Sequence, residues 1–434
     1  MNGLGTVKLD FVPDKTFNMD FVVYPGFFYM IYQYQKGTIL HCMVVKMDDQ
    51  CKKMTEPVEV DTTRIPVMTN NKIYSTISSE DKQKIMIFKI QARSQKFNIA
   101  TLLFDNQMKL INRNRQVVDY DERSDIYDNF SLGNDGNFVF TYAARAGNRN
   151  NNNTLGLIIQ EQFQNSFTYQ SVDLYEKYID EVELKIDNLN NRYIINAFYF
   201  QKKSSSIEGL FTYIWDNGKR KTYASQFTGF NDSLRYEAKR DGQLRFAFDN
   251  FFIQQVIVKK DGGFILTAED YISDTQGSSW NRYDYLYNPY PLSSGYYYYN
   301  PYRGYYRPYG SSYYESTRYY YENILVQSIS KEGKIEWSKV IQKSQFDDND
   351  FNFLSFSTMT LAGEIHFLFN NDRKNQVITD QSISRDGTLK RNPTLKSPER
   401  GYEFMPGLSK QVGANQLIIP CTYRNNICFA KIDF

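Results

Sequence analysis

Histidine is nearly absent. The chain of 434 residues holds two, His41 and His366. Both sit in strand-like text, Ile39–Val45 and Glu364–Phe369, as residues in or beside a core. That scarcity argues against Ser-His-Asp, Cys-His and multi-histidine zinc chemistry. Four cysteines are too few for a disulfide framework, and no C-x-x-C occurs. Cys421 and Cys428 flank Tyr423-Arg424-Asn425-Asn426, where a two-residue turn at Arg424-Asn425 sets them directly opposite as a hydrogen-bonded pair. That site is the less comfortable one for a disulfide, so two small buried thiols are the plainer expectation, with a bond left open. Cys42, in a strand, and Cys51, near the following turn, are out of register.

Nucleotide and protease motifs are also missing: no Walker loop, no G-x-G-x-x-G and no H-E-x-x-H. No motif requires a cofactor or a metal. Lys and Arg number 51 against 49 Asp and Glu, and the charges are interspersed, so no basic stripe suits nucleic acid or an anionic membrane. Arg303, Arg307 and Arg318 read as solvated loop residues. No run is long enough for a transmembrane helix. Met1-Asn2-Gly3-Leu4-Gly5 has neither the basic nor the apolar region of an export signal. Read literally the chain is cytoplasmic; equally, it is a mature or truncated chain whose signal is missing.

What is present is strand text. Apolar residues make up 41% of the chain, enough for a sizeable core, and Tyr, Phe, Ile and Val outweigh Ala and Leu. One class of hairpin places a tight turn before a strongly apolar strand. Its turns are Pro25-Gly26, Glu80–Gln83, Asn134-Asp135-Gly136, Asn188–Asn191, Asp261-Gly262, Ala362-Gly363 and Gly413-Ala414-Asn415. Gly, Asn and Asp recur there because tight hairpins need positive φ. Five of the six intervals are roughly 50–75 residues, the scale of a somewhat enlarged four-stranded blade. A second class, with alternating strands, interleaves with it: TILHCMVVKMDDQCKK, IATLLFDNQMKLINR, LGLIIQEQFQNSFTY, GLFTYIWDNGKRKTY, ILVQSISKEGKIEWSKV and VITDQSISRDGTLKR. Inner hairpin followed by outer hairpin predicts an all-β, seven-bladed β-propeller of four-stranded blades, a single domain over residues 1–434. The last blade lacks a strand, and the alternating segment Thr6–Val12 is expected to supply it and close the ring. The competing architectures are stacked β-meanders, two β-sandwiches, or a ring of six or eight blades.

Two insertions interrupt the fifth blade on the expected ligand face. Residues 227–250 precede its first strand, and residues 271–321 separate its second and third. From Tyr283 to Tyr321 lie 17 of the 36 tyrosines, together with Pro289, Pro291, Pro301 and Pro308. Pro and Gly deny this stretch regular structure, and tyrosine offers flat apolar area with a polar tip, suited to sugars or peptides. The candidate binding residues are Trp280, Tyr296, Tyr298, Tyr302, Tyr305, Tyr309 and Tyr313, with Asp347 and Asp348 beside them; a low-complexity loop without a ligand is the competing reading. Acidic runs at Asp119–Glu122 with Asp125 and Asp128, at Asp173–Glu181 and at Asp347–Asp350 lack calcium-loop spacing and read as solvated turns. No motif among them selects a catalytic carboxylate pair.

The segments KKDGGFILTAEDY, WNRYDYLYNPY, SKEGKIEWSKV and CTYRNNICFAKIDF resemble uncharacterised propeller-type proteins exported by Bacteroidota. The resemblance runs along most of the chain as texture and carries no catalytic signature. It implies a periplasmic or outer-membrane-associated location, with a signal missing here, and no activity. The expected function is therefore a non-catalytic binding propeller, monomeric by itself, engaging a protein or glycan through the insert-bearing face. The rivals are a carboxylate-dependent glycan-active enzyme and a structural cell-envelope component. His41→Gln and His366→Gln are expected to alter stability at most; thermal melting beside a binding assay checks this.

Overall fold

The computed structural model describes residues 6–65, 72–93, 95–121, 123–145, 151–202, 206–239, 242–275, 282, 317–348, 350–371, 376–396, 400–424 and 426–434. These residues are all-β apart from one short α-helix and brief 3-10 turns. They divide into two compact units, one running to Leu174 and the other starting at Tyr175. No helix among them is long and apolar enough to cross a membrane.

The first unit is built from antiparallel meanders. The first comprises β1 (Thr16–Tyr24), β2 (Phe27–Lys36), β3 (Ile39–Asp48) and β4 (Val58–Arg64). The second comprises β5 (Tyr74–Ser78), β6 (Lys84–Arg93), β7 (Lys96–Asp105) and β8 (Leu110–Asp119). The third comprises β9 (Asp125–Leu132), β10 (Phe138–Arg145), β11 (Asn152–Gln160) and β12 (Thr168–Val172). Strand alternation explains why inner strands such as β6 are apolar on both sides. Ile85 and Ile87 join a core with Ile31, Leu40 and Val44 of the first meander. Met86, Phe88 and Ile90, pointing the other way, join Phe130, Phe138 and Phe140 of the third.

The second unit repeats the plan. It begins with β13 (Tyr178–Asp187), β14 (Arg192–Phe200), β15 (Gly209–Asp216) and β16 (Lys221–Gly229), followed by helix α1 (Asp232–Ala238). Next come β17 (Phe251–Val258), β18 (Phe264–Thr275), β19 (Thr317–Ile329) and β20 (Ile335–Ile341), with β21 (Gln345–Asp348) added on β19. Then follow β22 (Phe356–Leu361), β23 (Glu364–Asn370), β24 (Val377–Ile383), β25 (Leu389–Arg391) and β26 (Leu395–Lys396). The last meander holds β27 (Tyr402–Phe404), β28 (Lys410–Gly413), β29 (Gln416–Tyr423) and β30 (Asn426–Asp433). Strand β19 again serves two cores: Leu325 and Ile329 pack toward Leu210 and Ile214, while Ile324 and Val326 pack toward Phe367 and Phe369.

Both hairpin series fall where the turn residues put them. Gly26 and Gly363 adopt φ of +77° and +86°, the left-handed region that a Cβ disfavours. In the β29–β30 hairpin Cys421 lies opposite Cys428, as counted from the turn; both are free thiols, their sulfurs 2.8 Å apart. Burial and the neighbouring thiol push the Cys421 thiol up to about 12.

Two expectations are corrected. Thr6–Val12 is not a strand and does not close the last meander. It folds through a turn in which Val12 N–H donates to Leu9 O (3.0 Å). Leu9, Phe11 and Val12 then cover Met30, Tyr32, Val45 and Met47, on the face of the first meander opposite Ile31 and Val44. The last meander has three rows, because β27 and β28 pair with the same edge of β29 on either side of the 3-10 turn Pro406–Leu408. Pro420, which has no N–H to offer a ladder, lies opposite that break.

The second correction concerns residues 227–250. They read as an insertion on the expected ligand face, yet after the end of β16 they carry α1, capped by Asn231, whose side chain accepts from Leu234 N–H. Phe230, Leu234, Ala238 and Phe248 are buried in the core beside Phe198 and Phe251. The Arg235 guanidinium donates to the carbonyls of Phe230, Arg245, Ile207 and Glu208. These residues make the segment part of the interior packing, while Tyr236 and residues 242–246 stay exposed.

If Thr6–Val12 is a covering turn, its amides other than Val12 exchange fast. Leu9→Ala with Phe11→Ala is then expected to lower stability in urea by about 1–3 kcal/mol, the scale of uncovering part of an apolar face. Strand-like protection across Thr6–Val12 in hydrogen exchange would contradict the assignment.

Candidate functional site

The ends of the tyrosine-rich insertion are strands. The β18–β19 ladder continues beyond the Phe251↔Asp270 pair that ends β17, from Tyr271↔Tyr321 to Thr275↔Thr317. The insertion proper therefore narrows from 271–321 to 276–316. Strand β21 pairs along the other edge of this extension, with Tyr321 opposite Gln345 and Arg318 opposite Asp348. The result is a three-stranded stalk at the foot of the insertion.

Asp347 and Asp348 belong to this stalk as strand residues, correcting their reading as a turn. The Arg318 guanidinium donates through Nε to Asp348 Oδ1 (2.6 Å) and through Nη2 to Oδ2 (3.0 Å), a planar fork on a carboxylate. Arg318 holds the Asp348 carboxyl below its ordinary range. Both partners are half exposed, so the pair orders the stalk and contributes little stability. Loss of water around Asp347 raises its carboxyl, and the charges of Asp350 and Asp348 push the same way.

Beneath the stalk the charges are buried. Glu269 and Lys343 form an ion pair at 2.7 Å with both side chains fully out of water. Ser355 Oγ donates to Glu269 Oε2 (2.6 Å), while Lys343 Nζ donates to Tyr321 O (2.8 Å) and Gln345 Oε1 (2.7 Å). Burial raises the Glu269 carboxyl and lowers the Lys343 ammonium, each opposed by its partner. Arg282, on the insertion side, pairs with buried Asp180 and donates to the carbonyls of Asp249 (3.0 Å) and Phe251 (2.6 Å). Asp180 was expected in a solvated turn. Its side chain is fully buried because it neutralises Arg282. Asp249 and Phe251 end the 230–250 connection, so Arg282 ties the two inserted segments together.

Trp280, Tyr296, Tyr298, Tyr302, Tyr305, Tyr309 and Tyr313 lie outside the described residues. The structure brings Asp347 and Asp348 to the foot of the segment that carries them. Sequence reasoning missed Arg282, Glu269 and Lys343. The one available signal was a carboxylate pair, Glu269-Asp270, in mid-strand after the apolar run Phe264–Leu266 of β18.

Each histidine holds a carboxylate. His41 Nδ1 lies 2.5 Å from Glu59, its ring stacked on Tyr34. His366, buried against Phe434, holds Asp380 at 2.9 Å. Ser382 sits opposite His366 in register, but its hydroxyl donates to Glu364 (2.9 Å), so no nucleophile–base bond forms there. Asp125 accepts from Asp121 N–H, Ser124 and Tyr142, and both it and Asp128 are residues of β9, which corrects their reading as solvated turns. Among the described residues no three His, Cys, Asp or Glu side chains gather as a metal site.

No protein-family model matches the chain, and no curated protein matches it. Solved structures do. One is prolyl oligopeptidase B from Galerina marginata, at 10% identity and a TM-score of 0.40 over 94% of this chain and 47% of that one. Another is a polysaccharide lyase, an ulvan lyase, at 9% identity and 0.39 over 95% and 91%. A third is the β-propeller domain of the Trilobed protease from Pyrococcus furiosus, at 8% and 0.38 over 96% and 97%. The chain spans less than half the length of the prolyl oligopeptidase. At TM-scores this low, nothing about this chain's fold or activity follows from them.

Lys343→Met leaves Glu269 buried without its cation and is expected to cost about 3–5 kcal/mol in urea unfolding. Adding Glu269→Leu removes the orphaned charge and should recover most of that loss. A double variant no more stable than the single would show that packing at Lys343, and not charge balance, holds the site.

Proposed function

We propose that the chain is a seven-bladed β-propeller acting as a non-catalytic binding module, and that its tyrosine-rich insertion engages a protein or glycan partner. The meanders described, three in one unit and four in the other, match the count such a ring requires. No strand exchange at the termini is part of this reading. The resemblance to exported Bacteroidota proteins adds a location in the cell envelope.

One observation carries the binding role. The insertion leaves the sheet on a stalk built for it, with a paired ladder, a third strand, and Arg282 and Lys343 anchoring the base in the interior. A passive low-complexity loop needs no such mounting. Recognition elements gain by it, because pre-ordering the ends of a loop removes part of the entropy cost of binding. The non-catalytic part is supported by three of the carboxylates at this base, Glu269, Asp180 and Asp348, each held by a cation. A glycosidase would need a pair of carboxyl groups free to exchange protons across a substrate.

Replacing residues 283–316 with a short Gly/Ser linker keeps Arg282 and the stalk. The melting temperature is expected to stay near that of the parent, since long surface loops add little closure entropy. The same variant should lose the partner in a pull-down or the glycan on an array. Binding unchanged from the parent would show that the insertion is not the recognition element.

A further inference from the structure

A second feature lies in the other unit and is independent of the insertion. Between the first and second meanders opens a cleft of about 790 Å³, within the range of small-ligand sites. Its floor rests on the core between them. Leu102, buried in that core, is the cross-strand partner of Arg113, and Ala100 is the partner of Arg115, so both arginines stand on the face of β8 turned toward the first meander. From β6, Lys89 reaches across to β4, where it pairs with Asp61 and donates to Thr63 Oγ1 (2.7 Å) and Thr62 O (2.9 Å). Arg64 contributes from the end of β4.

The charge does not balance. Asp61 is the single acid among the described lining residues, and it faces both Lys89 and Arg113, the latter at 3.6 Å. The guanidinium groups of Arg64 and Arg115 meet no carboxylate among the described residues, and both side chains are exposed. Where the cleft wraps around the edge of β8, Asn114 is 8% exposed and its Nδ2 has no hydrogen-bond partner. A buried amide donor left unpaired costs stability unless something outside the fold accepts from it.

The rest of the lining is amide and hydroxyl: Gln91, Asn98, Gln116, Asn165, Thr62 and Thr101. Among the described residues its apolar members are Ala100 and Leu102, and no aromatic ring lines it. A peptide would find little apolar wall for its side chains. Single-stranded nucleic acid would find no ring on which to stack a base. A chain of hydroxyls bearing anions fits both the walls and the charge.

We propose that this cleft binds an acidic oligosaccharide, with Arg64, Arg113 and Arg115 receiving its carboxylate or sulfate groups and the amides its hydroxyls. Planar guanidinium groups suit such oxyanions through paired, charge-assisted bonds.

The test is calorimetric titration of the full chain with a galacturonate tetramer, a sulfated heparin tetrasaccharide and neutral maltotetraose. At least one acidic sugar should bind while maltotetraose does not, and whichever binds identifies carboxylate or sulfate as the recognised group. Arg64→Ala with Arg115→Ala, both exposed positions with native melting expected, should weaken binding about tenfold or more, two charge-assisted bonds being lost. Lys331→Ala with Lys334→Ala removes equal charge from a turn of the other unit and should change nothing. Failure of both acidic sugars, or an equal loss in the lysine control, would overturn the site. Hexaglutamate or octathymidylate binding more tightly than either sugar would overturn its ligand class.

Discussion

Each inner sheet must hide two faces, and that requirement organises the chain. A strand with one buried face can alternate apolar and polar residues. One pressed between neighbours on both sides cannot. Strand β6 sends Ile85 and Ile87 one way and Met86, Phe88 and Ile90 the other. Strand β23 does the same with Phe367 and Phe369 against Leu368. Neither face can be made polar without emptying a core. The first meander meets the demand with its own N-terminal segment, which lies over Met30, Tyr32, Val45 and Met47.

Against that apolar background the base of the insertion is an exception. Taking Glu269 and Lys343 out of water costs each several kcal/mol, and their mutual attraction offsets this only when the remaining donors and acceptors are also satisfied. Ser355, Gln345 and the Tyr321 carbonyl supply those bonds. Apolar side chains of similar volume would fill the same space without the desolvation penalty. What a charged network adds is direction. Arg282 fits only where Asp180 and the carbonyls of Asp249 and Phe251 converge, so the chain leaves the sheet at one place.

How much of this was legible follows from the range of each interaction. The hairpins were, because a turn such as Pro25-Gly26 and the apolar run after it are local signals, and the Cys421–Cys428 register followed by counting. Thr6–Val12 misled, because Val7, Leu9 and Phe11 alternate as a strand would. The alternation reports that one side is covered, and a turn lying on Tyr32 satisfies that as well as a ladder does. Residues 227–250 were read as an insertion from their place between strands, although four apolar residues, Phe230, Leu234, Ala238 and Phe248, pack into the core. The Asp180–Arg282 and Glu269–Lys343 pairs join positions far apart in the chain, and no spacing rule connects them. The cleft of the first unit was invisible for the same reason. Arg64 and Arg115 are ordinary strand charges until two meanders set them around one space.

The stalk has a consequence for how such a protein can change over generations. Its ladder is closed at Thr275↔Thr317 and Arg282 is anchored on Asp180, so beyond Arg282 the fold senses only where the two ends are held. Closure entropy rises with the logarithm of loop length, and a doubling costs about 0.6 kcal/mol. Mutation can therefore lengthen, shorten or rewrite residues 283–316 with almost no penalty to the sheets below, as long as Arg282 keeps its pair with Asp180. Composition drift toward a single residue type, such as the tyrosine that fills this stretch, meets little resistance from folding. The stalk makes the insertion a place where selection on partners can act while selection on stability is nearly silent.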